Sequence, residues 1–212
     1  MLARPLACTH PFIHVLGLTS YQRMKYFSYE LIAAANGWPG QSESDRVEAE
    51  KRFWAQVDAY YRELETLKTR VSRAAWQFFR HGFGRYGLHD ARLLSLSVGD
   101  GLNFVADGKT PFLLNRQHTS ARIEFLNFEQ DLHYVFALKR VSRVLTELFI
   151  DEDQMCECLG DLNTCELTSV NEKCLQLGLI FSTGATITLQ FRKLVFRRRR
   201  IKRGYELGET FR

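Results

Sequence analysis

No run of apolar residues in this 212-residue chain approaches the roughly 18 to 20 that a membrane-spanning helix requires, so a bilayer-crossing helix is excluded at the outset. Cysteines number five, and their placement lacks the even count and regular spacing of a small secreted scaffold: Cys8 stands alone, and the other four crowd between Cys156 and Cys174. Reduced thiols in a cytoplasmic compartment are the expectation. Residues Met1 to Arg23 do not show the charged-then-apolar design of a secretion signal. They are expected to form a poorly ordered extension, with an upstream start codon as one origin for it. Also absent are a glycine-rich phosphate loop, a nucleophile elbow, a His-Glu-x-x-His helix and a calcium loop. Those absences lower the expectation of an enzyme, and the reading is a protein with no catalytic residues, no cofactor and no metal.

What remains is an ordinary globular composition, 45% hydrophobic and 25% charged, in a chain long enough to bury a sizeable core. The net charge of +5 is unevenly spread. Arg192 to Arg203 holds eight basic residues and no acid, and setting those aside from 29 leaves 21 basic against 24 acidic residues elsewhere. The basicity therefore belongs to one segment, which argues against a protein that coats nucleic acid with its whole surface.

Side-chain rhythm divides the chain. Met24, Phe27, Leu31, Ile32 and Ala35 recur at helical spacing and are stopped by Asn36-Gly37-Trp38-Pro39-Gly40. Ser42 to Asp45 offers capping oxygens, with Asp45 and Glu48 in the capping-box relation. From there Val57, Tyr60, Leu64, Leu67, Val71, Ala74 and Phe78 follow an alternation of three and four that predicts one helix reaching Phe79, of roughly 50 Å. Its stripe is expected to pack on the chain's own sheet, with a homodimer through the same stripe as the alternative. His81-Gly82-Phe83-Gly84 ends it.

Near residue 88 the period changes to two. Leu94, Leu96 and Val98 oppose Ser95 and Ser97, and Gly99-Asp100-Gly101 predicts a tight turn into Leu102 to Ala106. A third alternating run follows at Ala121, Ile123 and Phe125. His133 to Phe149 suits a helix, although its β-branched and aromatic content suits a strand as well; it is read as helix. Asp151 to Asn163 reads as an acidic loop. The last hairpin alternates Leu175 to Phe181, turns at Ser182-Thr183-Gly184, and returns through Ala185 to Phe191, with one face dry and the other wet. The expected fold is α+β: an extension over 1–23, a helical region over 24–87 whose long helix packs on an antiparallel sheet, a β-rich domain over 88–203, and a tail over 204–212.

The segment Met24-Lys25-Tyr26-Phe27, the long charged helical region, the His89-Asp90 pair, the strand Ile123-Glu124-Phe125-Leu126-Asn127 and a hairpin of the form Leu-Ile-Phe-Ser-x-Gly-x-x-Ile-x-Leu-x-Phe together resemble a family of bacterial proteins classed as a domain of unknown function. Its members typically start at Met-Lys-Tyr-Phe. The β half is also similar to small immunity proteins of bacterial toxin systems, which share a His-Asp approach to the first strand and a closing glycine-turn hairpin. That resemblance implies a binding protein without catalytic machinery, whose partner is another protein. The arginine-rich end and the cysteine-bearing loop depart from the pattern, so neither takes a role from it.

Three groups carry chemistry. His89-Asp90, with His81 upstream, matches the adjacent pair of metal phosphohydrolases, but those place the pair inside a helix. At the start of a strand the two are expected to hydrogen-bond backbone groups of the turn instead. Cys156, Cys158, Cys165 and Cys174 could hold zinc, yet only one tight pair exists and free thiols are the expected state. Finally Arg197, Arg198, Arg199, Arg200, Lys202 and Arg203 could contact phosphates, giving a nucleic-acid-binding accessory protein as the alternative to a protein binder. Aromatic interleaving is poor there, so a solvated basic tail is the simpler reading.

Overall fold

A computed structural model describes residues 24–37, 40–81, 87–100, 118–147 and 159–201. The fold is α+β: three helices precede two antiparallel four-stranded sheets. The helices are α1 (Tyr29–Asn36), α2 (Glu43–Thr66) and α3 (Arg73–Arg80). The strands are β1 (Arg92–Asp100), β2 (Thr119–Leu126), β3 (Leu132–Lys139), β4 (Arg143–Glu147), β5 (Leu162–Asn171), β6 (Cys174–Phe181), β7 (Thr186–Phe191) and β8 (Lys193–Arg200). One sheet has the order β1-β2-β3-β8 and the other β4-β7-β6-β5. No described helix is long and apolar enough to cross a membrane.

The expected single long helix is two helices. Thr66 Oγ1 turns back onto the Glu63 carbonyl at 2.7 Å, and Ser72 caps a fresh helix by accepting from Ala75 N at 3.2 Å. Between them Arg70 leaves the helical path to reach Ser169 Oγ at 2.6 Å and the Asn171 carbonyl at 2.9 Å. The break resets the phase, so Val57, Tyr60, Leu64 and Leu67 are buried as expected while Ala74 is exposed and Ala75 takes its place inside. At the other end of α2 the cap is Ser42, whose Oγ accepts from Asp45 N, and the Asp45-Glu48 box does not form.

Of the residues read as a helix over 133–149, those described, up to Glu147, form β3 and β4. Helical spacing was misleading because β3 is buried on both faces and so loses the alternation that marks a one-sided strand. Arg140, in the left-handed region at φ 55°, separates the two strands. The wet face expected for the last hairpin is likewise missing: all of β6 after Cys174 is buried. Its turn is as expected, with Gly184 at φ 85°. In β1 a bulge between Leu93 and Ser95 shifts the alternation, so Leu93 joins Leu96 against the core. The described partner of β1 is β2, and the expected return strand Leu102 to Ala106 lies outside the described residues, as do residues 1–23 and 204–212.

The two sheets interleave in the chain. β3 runs into β4 and β7 into β8, and Arg192 N to the Lys139 carbonyl at 3.2 Å joins the two crossings. One buried cluster draws on Phe27 and Tyr60 from the helical region and on residues of both sheets. The inner face of the first sheet is covered by α3, where Phe78 sits 5.4 Å from Tyr134, 5.6 Å from Phe136 and 4.6 Å from Phe196, ring centre to ring centre. The stripe of α2 is consumed by the chain itself, and α2 meets the second sheet along its outer strand: Leu167 N donates to Tyr60 Oη at 3.3 Å and Ser169 N to Glu63 Oε1 at 2.8 Å. Side chains of a helix thus satisfy backbone groups on the open side of β5, a device that closes an edge to foreign strands.

Gly178 makes room for the N-terminal segment. A Cβ there would stand 2.8 Å from Met24 Cγ and 3.1 Å from its sulfur. Gly178→Ala is expected to cost about 1–2 kcal/mol through overpacking. Urea denaturation of a double-mutant cycle with Met24→Ala checks this, because the shortened side chain should recover most of the loss.

Candidate interaction surface

The arginine run is a strand and not a tail. In β8, Arg197, Arg198, Arg199 and Arg200 pair with Val135, Tyr134, His133 and Leu132 of β3, and all four are exposed. Lys202 and Arg203 lie outside the described residues. Arg197 and Arg199 share the face that carries Arg122 and Glu124; Arg198 and Arg200 extend from the aromatic face beyond Phe196. Among the described residues β8 is one of the two outer strands of its sheet, β1 being the other.

Beneath Arg199 lies a polar relay across three strands. Arg199 Nε donates to His133 Nδ1 at 2.9 Å, His133 Nε2 meets Glu124 Oε2 at 2.7 Å, and Arg122 Nε donates to Glu124 Oε1 at 2.6 Å. His133 is buried between Arg199 and Glu124, its two ring nitrogens each engaged by a neighbouring strand's side chain. The Arg122 hydrogen bond chiefly holds the Glu124 carboxyl below the usual carboxylate range, burial opposing it and His133 adding to it. The β2–β3 turn completes the surface. Asn127 Oδ1 accepts from Asp131 N at 3.0 Å and Leu132 N at 2.8 Å, and Ile201 N donates to the Asp131 carbonyl at 2.7 Å, so the turn is fastened to the end of β8. That rigid turn presents Phe128 with 72% of its surface exposed.

His89 and Asp90 sit in the turn before β1. Their side chains pair with each other, Nδ1 to Oδ2 at 2.9 Å, and both are half exposed or more. Asp90 adopts φ 59°, and its backbone N–H donates to the Leu162 carbonyl at 2.8 Å, tying the turn to β5. Among the described residues the two side chains bond to each other, and the turn is held by this main-chain bond. Among the described residues no three His, Cys, Asp or Glu side chains gather where they could hold a metal ion. Cys165 and Cys174 cannot share a zinc: Cys165 pairs with Leu179, five residues along β6 from Cys174, roughly 17 Å at strand spacing. Both are free thiols, and burial pushes the Cys165 thiol up to about 12. Cys156 and Cys158 lie outside the described residues.

Two carboxylates escaped the sequence reading. Glu166 on β5 is fully buried, and its oxygens accept backbone N–H groups from Lys25 at 2.5 Å, Tyr26 at 3.0 Å and Phe27 at 3.4 Å. Burial raises its pKa to about 7 against the pull of those three donors. Glu63 accepts from Lys25 Nζ and Tyr26 Oη, both at 2.5 Å. Burial alone would raise the Glu63 pKa, but these two bonds and Ser169 N together lower it. The pair clamps Met24–Phe27 onto the second sheet, a structural role. The available signal was that Glu166 is the only charged residue in 162–171. His133 and Phe128 gave none, since a lone histidine and a lone aromatic take their meaning from the strands beside them.

No family model, curated protein or solved structure matches the chain.

Proposed function

We propose that this protein is a non-catalytic binding factor, of the immunity or antitoxin kind, that engages another protein through β8 in a cytoplasmic setting. The observation that supports this reading is the run of four exposed arginines on an outer strand, with the exposed Phe128 on a turn fastened to its end. Arginine and aromatic anchors on rigid backbone are the residues that concentrate binding energy in protein interfaces. A nucleic-acid partner would use the same arginines, but one aromatic beside them makes a poor stacking surface. For the hydrolase alternative at His89 and Asp90, the described residues offer no cluster of metal-ligating side chains in its support.

The test is isolation of the tagged protein from cells that produce it, identification of the co-purifying protein, and reassembly from purified components. A stoichiometric complex that Arg197→Glu/Arg199→Glu abolishes is the expected result. Nucleic acid as the only co-purifying species, released with a steep salt dependence, would replace this reading with the alternative.

A further inference from the structure

We propose that β8 takes an extended acidic segment of the partner protein as an added strand, with Arg199 clasping one of its carboxylates. This rests on the protein-binding reading above and gives it a mode. Two sheet edges are handled differently. The open side of β5 is satisfied by Tyr60 and Glu63 of α2, whereas β8 ends its sheet with exposed arginines and no described element sealing it. An outer strand offers its backbone groups to an extended peptide, which gains affinity from the main chain and specificity from alternate side chains. Arg197 and Arg199 on one face stand roughly 6.8 Å apart at strand spacing, the interval at which an added strand repeats its own side chains. Acidic residues on that strand would meet them as opposite-charge cross-strand pairs.

The relay gives Arg199 a defined posture. Its Nε is spent on His133, which is itself held by Glu124, and no other described contact engages its terminal nitrogens. The outward fork is therefore set for two parallel bonds to a carboxylate, with little side-chain freedom left to lose. A second copy of the chain is a poor occupant, because β8 against β8 sets arginine opposite arginine. Protection of the edge by charge is the simpler role for such residues, but it does not call for a buried histidine that fixes one arginine's direction.

The experiment measures binding of the full chain to a labelled twelve-residue peptide alternating Glu and Val, and to two versions N-methylated on its odd or even residues. Comparison arms are Arg199→Lys, Arg197→Glu/Arg199→Glu, Arg52→Glu on α2 as a remote control, and an oligothymidylate of equal charge. The expected result is binding of the parent peptide, loss of about tenfold or more on methylation of one set, and about tenfold for Arg199→Lys. The double Glu variant should abolish binding and Arg52→Glu leave it unchanged, with thermal midpoints preserved. Methylated peptides that bind as well as the parent, tighter binding of the oligothymidylate, or self-association that depends on the arginines would overturn the proposal. If the peptide does not bind while the reassembled complex still depends on Arg197 and Arg199, strand addition falls and the protein-binding reading stands. If the complex also fails, both fall.

Discussion

Glu166→Ala is expected to lower stability by about 3 kcal/mol, the scale of the cost of leaving buried backbone donors without their acceptor, and to free the Met24–Phe27 segment. The buried carboxylate accepts three successive backbone N–H groups, from Lys25, Tyr26 and Phe27, and its removal takes all three bonds at once. Thermal unfolding should show a drop on the order of 10 °C at this chain length, with amide exchange accelerated first at Lys25, Tyr26 and Phe27. Glu166→Gln should fall between, since its oxygen can accept from Lys25 while its amide nitrogen faces donors. A loss below about 1 kcal/mol for the alanine variant, within the range of an ordinary surface change, would show that the segment is not held this way.

The pH dependence follows from the same geometry. With its folded pKa raised from an ordinary 4.5 to about 7, Glu166 binds more protons folded than unfolded between those values. Its contribution is fully present below about 4.5 and is lost as pH rises through 7. Glu63, lowered in the folded state, acts oppositely: its contribution is present above its ordinary value and is lost as pH falls. Glu166→Gln should therefore remove a descending limb between about pH 4.5 and 7 from a plot of stability against pH, leaving the acid-side loss in place.

The second large effect is expected at Phe136. Its ring is fully buried at the centre of the first sheet, within 5.2 to 6.0 Å of Phe196, Phe78, Phe79 and Phe125. Phe136→Ala should cost about 3–5 kcal/mol, transfer and cavity terms together. Urea denaturation should show the midpoint falling with an unchanged slope. A cost near that of a surface substitution would mean that α3 does not rest on this aromatic layer.

How far the sequence could be read depended on how many faces each element buries. The final hairpin was legible because its strands are short and its turn holds a glycine at positive φ. β3 was not, because two-sided burial turned Tyr134, Val135 and Phe136 into a continuous apolar run that a helix could also explain. The break after α2 was hidden because Arg70 is drawn out by partners about a hundred residues away. The candidate surface was half visible: the arginines stand out in the sequence, but that they line an outer strand above a histidine follows only from the pairing of β8 with β3. Glu166 was overlooked because its three donors lie about 140 residues earlier.

Because β3 leads into the second sheet and its own neighbour β8 returns from it, the first sheet cannot finish until the four strands of the second have been made. During synthesis, β3 must wait with Phe136 and Leu138 lacking a flank until some sixty further residues have left the ribosome. Such distant closures make folding slow. The nascent chain is consequently most exposed to aggregation in that interval, and removal of β8 would prolong it indefinitely.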